Sequence, residues 1–98
     1  MKRGVLWNPT DRTGGPVDDI LFALRKSYPG LQVVRLSVSH PADDDNVWFI
    51  SLPPDGPELQ LDSLPNGRPP FLLESDWARA QTADIEEAIE QLSEWLRE

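Results

Sequence analysis

The amino-acid sequence predicts an α+β domain: a four-stranded antiparallel meander sheet between an N-terminal and a C-terminal helix, α-β-β-β-β-α, with both helices on one face. Two stretches have the spacing of amphipathic helices, and four short segments between them alternate apolar and polar residues. The connectors between those segments are too short for a crossover helix, which leaves antiparallel pairing of sequence neighbours. A chain of 98 residues suffices for one core between two layers and is too short for two domains, so residues 1–98 are expected to form one unit.

Residues 1–15 read as an irregular arm, flexible or covering, because Asn8-Pro9 and Gly14-Gly15 interrupt it. Val5-Leu6-Trp7 is the one part of it with strand character. The first helix opens at Pro16 with Asp18 and Asp19 in its first turn, where acids complement the helix dipole. Val17, Ile20, Leu21, Leu24 and Tyr28 form its buried stripe, and Pro29-Gly30 ends it.

The strand segments are Leu31 to Ser39, Val47 to Leu52, Glu58 to Asp62 and Phe71 to Ser75. Alternation points Val34, Leu36 and Val38 to the core in the first, and Trp48, Ile50 and Leu52 in the second. The inward pairs of the others are Leu59 with Leu61 and Phe71 with Leu73. The opposite face then mixes Val33, Val47, Phe49 and Leu72 with Arg35, Ser37, Gln60 and Glu74. Such a patch marks an interaction site or dimer contact, unless the arm folds across it. The last helix begins near Thr82, a good N-cap, and buries Ile85, Ala88, Ile89, Leu92 and Leu96.

There is no cysteine, so disulfides, thiolate nucleophiles and Cys-based zinc sites are excluded. No apolar stretch approaches the roughly 20 residues of a membrane helix, and the N-terminal apolar run is too short for a signal sequence. A cytoplasmic location is expected. With 17 acidic and 9 basic residues the net charge is −8, which repels phosphate backbones and argues against nucleic acid as a partner.

The excess charge is local. From Ala83 onward six acids face one base, Arg97, and Asp43, Asp44 and Asp45 lie together in one loop; elsewhere acids and bases balance. Glu86, Glu90, Glu94 and Glu98 form an i, i+4 row in which each neighbouring pair is unfavourable by roughly 0.2–0.5 kcal/mol. Either the row is kept for a basic partner, or it is a solvated face that aids solubility.

No catalytic constellation stands out. The serines lack a nucleophile-elbow context, and Gly14-Gly15 and Asn66-Gly67 lack the spacing and lysine of a phosphate loop. His40 with Asp43 to Asp45 is the nearest approach to an acid-base or cation site, but three consecutive aspartates do not alternate as calcium ligands do. Neither a metal nor a cofactor is expected. Of the four tryptophans, Trp48 reads as the core anchor, while Trp77, between the last strand and the last helix, either plugs the core or stands exposed as a binding residue.

In size, acidity and helix-plus-meander layout the chain is similar to small bacterial partner-binding proteins, among them toxin-neutralising immunity proteins and acidic secretion chaperones. That likeness is one of layout and carries no residue's role with it. The expected function is a non-enzymatic domain that binds a basic protein through Glu86, Glu90, Glu94 and Asp43 to Asp45, with Phe49 and Trp77 as apolar contacts. Two alternatives stand beside it: a small-ligand or cation-binding enzyme built on His40 and the loop aspartates, and a structural unit that self-associates through the outer sheet face. The expected state is a monomer or weak homodimer.

Overall fold

The computed structural model describes residues 4–37 and 46–97. In chain order the elements are β1 (Gly4–Leu6), α1 (Val17–Ser27), β2 (Gln32–Leu36), β3 (Val47–Ser51), β4 (Glu58–Leu64), β5 (Arg68–Glu74), β6 (Arg79–Thr82) and α2 (Ile85–Leu96). The expected α+β class and antiparallel meander are present, but the sheet has six strands rather than four, ordered β1 to β6 as in the chain. The two additional strands are the edges. Val5-Leu6 pairs beside β2, and Arg79 to Thr82 pairs beside β5.

In α1, Val17, Ile20, Leu21 and Leu24 are buried, with Asp18 and Asp19 in the first turn and Arg25 and Lys26 in the last. Both sets of charges complement the helix dipole. The Asp18 carboxylate accepts hydrogen bonds from the Thr13 and Gly14 amides, each at 2.9 Å, and from the Thr13 hydroxyl at 3.0 Å. The arm is thereby clasped to the start of the helix.

It is clasped a second time at the β4–β5 turn. Gly67 there has φ +70, and a Cβ on it would press on Thr13 and Val17. A Cβ on Gly15 would collide with the Asn66 carbonyl, so glycine is required on both sides of this approach.

Helix α2 starts later than Thr82, which lies in β6: the helix begins at Ile85. Asp84 is its N-cap, accepting from the Glu86 amide at 2.9 Å, while the Thr82 hydroxyl accepts from the Asp84 amide at 3.0 Å. Asp84→Ala is expected to remove about 1 kcal/mol of stability. In a domain of this size that is a fall in melting temperature of about 4–8 °C by differential scanning calorimetry.

Both helices pack on the same face of the sheet and share its core. Ile20 and Leu24 of α1, and Ala88 and Leu92 of α2, cluster with Val33, Trp48, Ile50, Leu59, Leu61, Phe71 and Leu73. The Tyr28 hydroxyl donates to the Ser93 carbonyl at 3.3 Å, tying the C-terminal ends of the helices together. No described helix is long and apolar enough to cross a membrane.

Strands β3, β4 and β5 face as the alternation predicts, but β2 is reversed. Val33 is buried, whereas Val34 and Leu36 are only partly covered and belong to the outer face; Val38 lies outside the described residues. The reason is Arg35, which pairs across the sheet with Trp48. Its guanidinium carbon lies 5.1 Å from the centroids of both Trp7 and Trp48, and its Nη2 donates to Asn46 Oδ1 at 3.3 Å. Two indoles and an amide thus accommodate a cation at the edge of the core.

Candidate functional site

Among the described residues, no helix lies on the outer face of the sheet. Following the register, one row crosses all six strands as Leu6, Val34, Phe49, Gln60, Glu74 and Arg79. Beside it run Val47, Asp62, Leu72 and Gln81 on one side, and Gln32, Ser51 and Glu58 on the other. The described part of the arm, residues 4–15, does not lie across this face. It extends the sheet by one strand and sends Trp7 to the inner side, where its ring meets Trp48 edge-on at 5.9 Å between centroids.

The result is a mixed surface. Leu6 is 58% and Leu72 48% exposed, and Val34, Leu36 and Phe49 are half-buried among them. Phe49 stands between two shallow hollows. One, of about 330 Å³, is bounded by Val34, Gln32 and Glu58, and the other, of about 220 Å³, by Gln60, Glu74 and Asp76. A third, of about 350 Å³, lies around Leu72 between Asp62 and Arg79. The Arg79–Glu74 pair at 3.4 Å joins two well-solvated side chains and contributes little to stability.

The sequence-derived residues divide between two sides of the molecule. Phe49 is on the outer sheet face. The second hollow leads from it to Ser75 and Asp76, in the hairpin turn that carries Trp77. That turn joins β5 to β6 and not, as expected, the last strand to the last helix. The Ser75 hydroxyl accepts from the Trp77 and Ala78 amides at 3.3 and 3.0 Å, leaving Trp77 half exposed at the tip. Glu86, Glu90 and Glu94 are exposed on α2, on the helix layer and therefore away from Phe49. Asp43, Asp44, Asp45 and His40 lie outside the described residues.

The row on α2 has no basic residue in the last turn of the helix to offset it, and Gln91 Nε2 donates to the Glu94 carboxylate at 3.3 Å. Glu90→Lys replaces two like-charge neighbours with two opposite ones. It is expected to stabilise the fold by about 0.5–1 kcal/mol, read as a higher urea midpoint with unchanged slope.

A separate cleft of about 390 Å³ lies between the arm and α1, walled by Trp7, Pro9, Leu21 and Phe22 and edged by Arg12, Arg25 and Lys26. Burial lowers the Arg25 guanidinium from its ordinary value, Asp11 opposing that shift and Arg12 adding to it. Its Nη2 donates to the Trp7 carbonyl. The cleft went unrecognised in the sequence, although Phe22 falls off the buried stripe of its helix. Among the described residues no group of three His, Asp or Glu is placed to hold a metal ion.

No protein-family model matches the chain, and no curated protein or solved structure is significantly similar to it. The described residues form a two-layer α+β domain with both helices on one face of an antiparallel sheet.

Proposed function

We propose that this chain is a non-enzymatic protein-binding domain that engages a basic protein partner, docking it on the outer face of the sheet. The observation that carries the reading is the chemistry of that face: half-exposed Leu72 and Leu6 around Phe49, with carboxylates at Glu58, Asp62 and Glu74. Interfaces combine an apolar centre that is desolvated on binding with a polar rim that selects the partner. The α2 row offers charge without any apolar anchor, so its part is long-range attraction, which raises the encounter rate more than the affinity.

Five strand spacings of about 4.8 Å make the face roughly 24 Å wide, enough for a modest interface. The carboxylates set the sign of the partner. Lysine and arginine side chains reaching the rim meet Glu58, Asp62 and Glu74, while a partner with acidic residues there is rejected.

The test is affinity capture from the native host with the wild-type chain and with Leu72→Lys, a substitution at an exposed position. A basic protein retained by the wild type, released by salt and lost with Leu72→Lys is the expected result. Equal retention by both chains, or binding that ignores ionic strength, would reject the proposal.

A further inference from the structure

The cleft between the arm and α1 is independent of the docking face, because it lies against α1 and not on the outer side of the sheet. Its walls are apolar: the Trp7 indole, Pro9, buried Leu21 and the Phe22 ring, which is 61% exposed. An aromatic side chain left this open on a helix contributes little to the fold, and its exposure has a cost that a bound apolar body would remove.

The polar groups at the cleft are unequal. Of the seven lysine and arginine residues among those described, three line it: Arg12, Arg25 and Lys26. Two acids are also present, but both carboxylates are turned to the arm's own backbone. Asp18 accepts the Thr13 and Gly14 amides and the Thr13 hydroxyl, and Asp11 accepts the Asn8 amide at 2.7 Å. Arg12 uses its Nη1 on the Pro9 and Asp11 carbonyls. Its remaining N–H donors and the Lys26 ammonium have no hydrogen-bond partner among the described residues. In a protein of net charge −8 the cleft thus holds three cations, Arg12, Arg25 and Lys26, against two carboxylates, a small cationic excess over an apolar floor.

From these observations we infer that the cleft is a binding site for a small amphipathic carboxylate, with an aromatic or branched apolar body between Trp7 and Phe22 and its anionic head on Arg12 and Lys26. The size selects a small molecule over a folded partner. About 390 Å³ is within the usual range for small-ligand pockets. The charge selects an anion, since charge-assisted hydrogen bonds to Arg and Lys are about twice as strong as neutral ones.

The probe is 4-phenylbutyrate, compared with neutral 4-phenylbutanamide of the same shape, titrated into ¹⁵N-labelled full-length chain. The expected result is saturable binding at about 1 mM or tighter, with shifts concentrated on the Trp7 indole and the amides of residues 10–12 and 21–26. The amide should bind about tenfold more weakly, and an Arg12→Gln/Lys26→Gln double variant should remove the difference between the two probes. Equal affinity for acid and amide, shifts centred elsewhere, or no saturation by the acid would overturn the assignment. The comparison of probes on the wild type decides the matter even where the double variant fails to fold.

Discussion

Replacing Trp48 by alanine is expected to lower the free energy of unfolding by about 3–5 kcal/mol, the largest effect of any single substitution considered. The indole is fully buried on β3, within the cluster that includes Ile20, Leu61 and Leu73. It also holds the arm: Trp7 packs on it edge-on, and Arg35 sits over both rings. Truncation therefore opens a cavity and releases β1 together. Domains of this size have about 5–15 kcal/mol in all, so the variant would be near unfolding at room temperature, with a melting point lower by tens of degrees. Equilibrium urea denaturation followed by far-ultraviolet circular dichroism reads the effect. A loss below about 1 kcal/mol would show that Trp48 is not the anchor. Trp48→Phe should be much milder, because among the described residues the buried indole Nε1 has no acceptor, and phenylalanine removes that unsatisfied donor along with some volume.

The second large effect concerns the partner, and it separates the two acidic surfaces by kinetics. Neutralising the α2 row with Glu86→Gln, Glu90→Gln and Glu94→Gln is expected to slow association by about three- to tenfold at low ionic strength while leaving dissociation unchanged. Those side chains lie on the helix layer, so in the proposed mode of docking they act through their field. Phe49→Ala, on the docking face, is expected to speed dissociation by tenfold or more and to leave association nearly as it was. Surface plasmon resonance against the captured basic protein at two salt concentrations distinguishes the two. Faster dissociation in the glutamine triple variant would place the partner on α2 and overturn the assignment of the docking face.

The parts of this fold that could be read in the sequence are those governed by local chemistry. The first helix announces itself through Pro16, the first-turn aspartates and a stripe at helical spacing, and the Leu59/Leu61 and Phe71/Leu73 alternations are unambiguous. Strand β2 was misread because Val33 and Val34 are adjacent, and counting favours Val34, Leu36 and Val38. What decides the face is Arg35, placed inward by two tryptophans that are distant in the chain.

Strand β6 was missed for a different reason. Arg79-Ala80-Gln81-Thr82 has almost no apolar content, and its strand character comes from pairing with β5. The candidate site was legible in its residues but not in its grouping. Phe49 and the α2 glutamates could each be named from sequence, whereas their separation onto two layers follows from the packing of both helices against one side of the sheet.

The lengths of the strands bear on how copies of this chain behave when crowded. The interior strands run to 5–7 residues, whereas β6, at one edge, has only four and begins with Arg79. An unpaired edge is a template on which another chain can zip, and a short or charged edge gives such a chain too few backbone hydrogen bonds to hold. At the β6 edge the sheet is thereby blunted against strand-on-strand pairing, while the side chains of its outer face stay clear of that edge.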